Sequence, residues 1–329
     1  MQNQRKKEMV RFLVGFSALY VLSYFLIGTF FLHGVSMLPE KQRAALDFFQ
    51  VYSPAAATVI VSQLIRGLVI AAVCYSLRET LRSHPKANQI LVGLLWGVHI
   101  FGSVEPVPGS FEGMIYTVTT PLEHFLVVAA SLVQMTLLAW AFNKWMGYPL
   151  QSVDHENRYD RKERDSQKFV LRFMILHVIT YFFVGVLFYQ MQGYQASLDS
   201  MEIFTMWRDL NDPMVAIGVF TGTTVGQVFR GLALAVFLLP FRSLYTDKKS
   251  GGILLFSTIW GLTFLTAVGI ISWMVDSLIG EASLGVLLVG TPEVTVQMMV
   301  FSMLLYRWES RKKRKNNATL CRYHLTHPD

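Results

Sequence analysis

Charge is scarce in this chain. Only 16% of its 329 residues are Asp, Glu, Lys or Arg, where a soluble domain carries about 25%. So few charges cannot cover the surface of a soluble protein of this size. Cysteine is scarcer still. Cys74 and Cys321 are the two present, which rules out a disulfide framework and a Cys-x-x-Cys redox pair. No Gly-rich phosphate loop, Gly-x-Ser-x-Gly elbow or His-Glu-x-x-His helix occurs. The familiar signatures of nucleotide binding, acyl transfer and zinc proteolysis are therefore missing.

What the chain has instead is long apolar runs. About 20 such residues cross the hydrocarbon core of a bilayer. Spans are expected at Phe12–Phe31, Ala55–Leu77, Ile90–Val104, Pro121–Phe142, Phe169–Tyr189, Met214–Leu239, Ile253–Val275 and Leu284–Tyr306. The third is short and ends at Glu105-Pro106-Val107-Pro108-Gly109. The expected fold class is an all-α integral membrane protein of about eight transmembrane helices. The first run follows Arg5, Lys6 and Lys7 as a signal peptide would, but it is too long for a signal core and no small-x-small site follows it. It reads as an uncleaved first helix.

The net charge of +7 invites a nucleic-acid reading, and the placement of the charges argues against it. Basic residues cluster before the first span, after the second, around Lys144–Arg172, after the sixth and beyond Arg307, while the opposite loops hold Lys41, Arg43 and Arg208. That asymmetry is the positive-inside pattern, and it puts both termini in the cytoplasm. A plasma (inner) membrane location is the expectation. The expected partner is the lipid bilayer, not nucleic acid, and the run Arg311–Lys315 could also touch anionic lipid. No feature fixes an oligomeric state.

One phrase is written twice. Val61-Ser62-Gln63-Leu64-Ile65-Arg66-Gly67-Leu68 recurs as Val225-Gly226-Gln227-Val228-Phe229-Arg230-Gly231-Leu232, an offset of 164 residues. Ala71, Arg78 and Trp96-Gly97 find Ala235, Arg242 and Trp260-Gly261 at the same offset. Tyr24 and Gly28 answer Tyr181 and Gly185, and Thr120-Pro121 answers Thr291-Pro292. Two four-helix repeats are expected, at 1–143 and 169–315, joined by a charged cytoplasmic linker at 144–168 and followed by a disordered tail at 316–329. An even number of spans per repeat returns the chain to its starting side, so the repeats are parallel.

Both copies of the phrase put an arginine near mid-membrane, where it costs about 3 kcal/mol or more. Gln63 and Arg66, like Gln227 and Arg230, share a helix face, and the adjacent glycine lets a neighbouring backbone approach. Glu123 and Glu293, each following a Thr-Pro pair that marks a helix start or a break within a longer helix, are the expected carboxylate partners. Gln63, Arg66, Glu123, Gln227, Arg230 and Glu293 are thus the candidate ligand-binding residues. The first half carries further polar groups at its outer end: His99, Glu105, Glu112, Tyr116 and His124. Their spacing lacks a His-x-x-x-His pair, so neither a metal site nor any cofactor is expected. The outer-loop apolar residues, Leu46, Phe48, Phe49 and Tyr52 in one loop and Ile203, Phe204, Met206 and Trp207 in the other, suit short interfacial helices.

Three functions fit. The first is a carrier that binds a small anionic solute or lipid headgroup between the halves. The second is a non-catalytic assembly or interaction protein whose Arg–Glu pairs are structural. The third is a membrane-embedded enzyme with an outer-face site of Glu105, Glu123 and His124.

Overall fold

The computed structural model describes residues 2–51, 56–84, 86–147, 159–192, 206–278 and 285–326, and every regular element among them is a helix. In chain order these are α1 (Gln2–Ser36), α2 (Ala44–Val51), α3 (Ala56–Ser76), α4 (Arg78–Ser83), α5 (Ala87–Gly102), α6 (Phe111–Tyr116), α7 (Pro121–Met146), α8 (Tyr159–Gln192), α9 (Pro213–Leu238), α10 (Arg242–Asp247), α11 (Gly251–Thr263), α12 (Val268–Leu278) and α13 (Gly285–Thr326). Five of them, α1, α3, α7, α8 and α9, are long and apolar enough to cross a membrane, which marks a membrane protein. Their outer faces expose large apolar side chains such as Leu22, Phe30, Phe183 and Phe220, as lipid contact requires and water does not permit.

Two apolar segments depart from a full span. At 1.5 Å per residue, α5 rises about 24 Å, short of the roughly 30 Å hydrocarbon core. The seventh expected span is not one helix: it breaks between Thr263 and Val268 into α11 and α12. Thr263 and Thr266 donate their hydroxyls to the carbonyls of Ile259 and Leu262, a back-bonding that bends helices. The break is then stabilised from far away in sequence, because Glu105 accepts a 2.8 Å bond from the Ile270 amide in the first turn of α12. A carboxylate there also suits the helix dipole.

At the chain's other margins, helix extends further than composition implies. Lys144 belongs to α7 and Lys168 to α8, while positions 148–158 of the expected linker lie outside the described residues. α13 continues to Thr326, through most of the tail expected to be disordered. The segment Asn316–Thr326 has no apolar periodicity, yet it holds no Gly or Pro to stop a helix already under way. Of these outer-loop apolar residues, Leu46 is buried on α2, and Met206 and Trp207 run alongside Tyr116–Val118 in an isolated antiparallel bridge. Tyr52, Ile203 and Phe204 lie outside the described residues.

The core is aromatic and layered. On α1, Phe12 and Phe16 each set an edge against Phe142 of α7, with ring centroids 4.8 Å apart. On α8, Phe173 and His177 set edges against Phe301 of α13 at 4.7 and 5.9 Å. Such pairs add about 0.5–1.5 kcal/mol each beyond area burial. α3 lies close on α1 because Gly67 has no side chain: a Cβ there would stand 3.1 Å from the Tyr20 ring and 3.3 Å from the Ser17 Cα. α9 lies on α8 in the same way, with a Cβ at Gly231 placed 3.1 Å from the Met174 Cα.

α7 shows how local sequence sets a helix start. Thr120 caps it, Pro121 occupies its first turn, and Glu123 completes a capping box, the arrangement that satisfies two orphan amides at once. Its far end closes on Gly147 at φ 71°, a conformation glycine adopts without cost.

Candidate functional site

The two repeated arginines are both buried, each 4% exposed. Their surroundings are not alike.

Arg230 is engaged at both terminal nitrogens, while its Nε, like that of Arg66, is buried without a partner. Its Nη1 donates to Glu112, and its Nη2 donates to the carbonyls of Gly102 at 2.8 Å and Ser103 at 3.2 Å. Those carbonyls end α5, where the helix dipole is negative and favours a cation. Glu112 also accepts from Gln227 Nε2 at 3.3 Å, and Gln227 Oε1 accepts from His177 Nε2 at 3.1 Å. The result is one chain of hydrogen bonds, His177 to Gln227 to Glu112 to Arg230, joining α8, α9, α6 and the end of α5.

The position of Glu112 follows from the turn that precedes it. Ser110 caps α6, accepting from the Gly113 amide at 2.8 Å and donating to the Val107 carbonyl at 2.8 Å. A Cβ at Gly113 would fall 2.2 Å from the Val107 oxygen, so only glycine lets this turn close. Gly109, at φ 84°, gives its amide to His124 Nδ1 at 2.9 Å. The proline- and glycine-rich outer segment is therefore the rigid mount that presents Glu112 to Arg230.

Among the described residues, Arg66 has no such carboxylate. Its Nη2 meets His99 Nε2 at 2.9 Å, and its guanidinium lies 5.9 Å from the Tyr20 ring centroid. Since arginine only donates, His99 Nε2 must be the acceptor, which makes His99 the neutral tautomer with its proton on Nδ1. Beside it, Gln63 Oε1 accepts from the Tyr20 hydroxyl at 3.1 Å. Arg66 Nε is buried without a partner, and among the described residues no carboxylate lies within 4.0 Å of the guanidinium.

The expected Arg–Glu pairing between the second and fourth helices of each half is therefore corrected. Glu123 does not meet Arg66. Its Oε2 accepts from the Thr120 amide and hydroxyl, both at 2.8 Å, and its Oε1 accepts from the amides of Ala45 at 2.7 Å and Leu46 at 3.3 Å. Its charge is spent on two helix N-termini, those of α7 and α2. Glu293 lies beside Gly185 of α8, its Oε1 3.5 Å from where a Cβ would stand, and Arg230 is paired elsewhere.

Of the six candidate residues, the structure thus joins Gln227 to Arg230 and places Gln63 beside Tyr20. Glu123 belongs to neither arginine. Sequence reasoning missed Tyr20 and His177 as partners of the two glutamines. A signal was present: each lies one turn before a matched tyrosine, Tyr24 or Tyr181. Glu112 was visible as an outer polar residue but had no pattern linking it to a position more than a hundred residues later.

Among the described residues, no group of three or more His, Cys, Asp or Glu could hold a metal ion. No protein family matches the chain, and neither does any curated protein or solved structure.

Proposed function

We propose that this protein is a membrane carrier built of two parallel four-helix halves, and that Arg66 is the cation that receives a small anionic solute or lipid headgroup. One observation carries the reading. Arg66 is buried as deeply as Arg230, but its side-chain partners among the described residues are a neutral imidazole and an aromatic ring. A buried cation without a counter-charge is costly, and a ligand anion would supply what Glu112 supplies to Arg230. Gln63, Tyr20 and His99 surround it with polar atoms suited to orienting such a ligand.

Paired contacts support the two-half reading. Gly67 and Gly231 admit α1 and α8 respectively. A Cβ at Gly97 of α5 would strike the Phe237 ring of α9 at 2.4 Å, and one at Gly261 of α11 would strike Val73 of α3 at 2.7 Å. Gly261 follows Gly97, and Phe237 follows Val73, by the same 164 residues. Trp96 donates to the Val128 carbonyl of α7, and Trp260 to the Thr295 hydroxyl of α13. On this reading α1, α3, α5 and α7 form one half and α8, α9, α11 and α13 the other, with both termini cytoplasmic.

The test is uptake of labelled anions, inorganic phosphate and small carboxylates first, into vesicles holding the purified protein or its Arg66→Gln variant. Uptake lost in a folded Arg66→Gln protein is the expected result. Equal uptake by both proteins rejects the role given to Arg66.

A second reading, an assembly protein held by structural ion pairs, is favoured at Arg230 by its bond to Glu112. The two readings differ in what Arg66 does. An outer-face enzyme has less support, because Glu105, Glu123 and His124 are each engaged by backbone amides.

A further inference from the structure

A groove of about 570 Å³ runs along the outside of the bundle between the start of α1 and the end of α7. One end of it is basic, with Lys6, Lys7 and Arg11. The other end is apolar, with Val14, Gly15 and the ring of Trp145. The order follows from the helix. Lys7, Arg11 and Gly15 are spaced four apart and share a face, so the face changes from cationic to apolar within three turns. Gly15 is what opens the apolar end: a Cβ there would stand 2.6 Å from Trp145 Nε1. The indole can therefore lie against the backbone of α1. Arg11 holds it in place, donating to the Trp145 carbonyl at 3.1 Å with its guanidinium 5.4 Å from the ring centroid.

The positive charge at this end is uncompensated. Glu8 is the one acid among the first eleven residues, and it turns away to Arg82, at 2.9 Å. Among the described residues neither Lys6 nor Lys7 has an ion-pair partner. The contact between α8 and α13 is closed by contrast. There Arg172 of α8 lies 5.5 Å from the Trp308 ring centroid and pairs with Glu309 of α13, which also binds Arg242.

We infer that the groove between α1 and α7 is a binding site for one anionic phospholipid of the leaflet that meets the N-terminus. Lys6, Lys7 and Arg11 hold its phosphate, Trp145 stands at the headgroup boundary, and an acyl chain lies over Val14 and Gly15. Tryptophan favours that depth. Each basic side chain near an anionic headgroup contributes about fivefold in affinity. A free phosphate or a soluble polyanion would use the cations and leave the apolar floor empty, so a lipid is the occupant that fits both ends.

Trp145 supplies the test. The full-length protein is reconstituted in phosphatidylcholine vesicles in which a minor fraction is brominated, as either phosphatidylglycerol or phosphatidylcholine. The Trp145 contribution is taken as the difference between wild type and Trp145→Phe. The expected result is quenching by brominated phosphatidylglycerol at several-fold lower fraction than by brominated phosphatidylcholine. The preference should vanish in Lys6→Gln/Lys7→Gln/Arg11→Gln. Equal quenching by the two lipids overturns the inference. So does a preference that survives the triple substitution, which would belong to the basic run Arg311–Lys315 instead.

Discussion

Removing the charge of Glu112 is the sharpest perturbation of the bundle's centre. Glu112→Gln keeps the shape and one acceptor oxygen, and it leaves Arg230 buried with only the Gly102 and Ser103 carbonyls. The two side chains are 8% and 5% exposed, so water cannot take over. Breaking a buried pair from one side costs about 3–5 kcal/mol, and the carbonyls retained on Arg230 put the expected loss at the low end, about 3 kcal/mol. An ordinary interhelical hydrogen bond in a membrane is worth about 0.6 kcal/mol, so the two explanations of this contact differ severalfold. Arg230→Gln alone should cost a similar amount, because it strands the carboxylate. The double variant Glu112→Gln/Arg230→Gln strands neither charge and should lose much less than the sum. The assay is unfolding by SDS in mixed micelles followed by tryptophan fluorescence, applied to wild type, both single variants and the double. A coupling energy near 3 kcal/mol is expected. A Glu112→Gln cost under about 1 kcal/mol, or single effects that simply add, would refute the reasoning.

Other consequences are as definite. Gly67→Ala forces a methyl toward the Ser17 backbone and should destabilise by about 1–3 kcal/mol, while Gly28→Ala, with nothing within 4 Å, should be neutral or gain up to about 1 kcal/mol. Thermal melting of the two variants side by side decides this. Glu123→Ala removes the acceptor of the Ala45 and Leu46 amides. Those amides should then exchange with deuterium at least about fivefold faster, for a loss of about 1–3 kcal/mol at an unsatisfied group, and unchanged protection would show that α2 is held by other contacts. On the polar surface, the hydrogen bond and charge of Lys248 hold the Glu79 carboxyl below its usual range. A carboxyl depressed in the folded state stabilises above its unfolded pKa and loses that contribution as pH falls through the folded one. Lys248→Met should raise the Glu79 titration seen by carboxyl NMR and shrink that acid-side dependence, and an unmoved titration would show that the pair is not formed.

Much of the architecture was legible because the bilayer imposes it. Helices that cross lipid must be long, apolar and internally hydrogen-bonded, so the five long helices coincide with expected spans. The Thr120-Pro121-Glu123 start of α7 was legible for a local reason, since a capping box is written within four residues. The break in the seventh span was not, because the acid that caps α12 comes from Glu105, across the bundle. Glu123 was misassigned for a related reason. Its depth and type suited Arg66, but two sets of nearby backbone amides, at its own helix start and at α2, satisfy a carboxylate better than a distant guanidinium does. The two arginines read as equivalent in sequence because their helix neighbours match. They differ in structure because, among the described residues, the outer turn of the first half, with its serine cap and glycine-tight close, carries an acid to Arg230 and no acid pairs with Arg66.

That difference is most directly tested by melting Arg66→Gln and Arg230→Gln beside wild type in the same detergent. Arg66→Gln gives up one hydrogen bond and a weak cation–π contact, about 1–2 kcal/mol together, and escapes a burial cost of about 3 kcal/mol. It should therefore melt at or above wild type, while Arg230→Gln melts well below it. If Arg66→Gln collapses as Arg230→Gln does, both arginines are structural ties and neither is held ready for an anion.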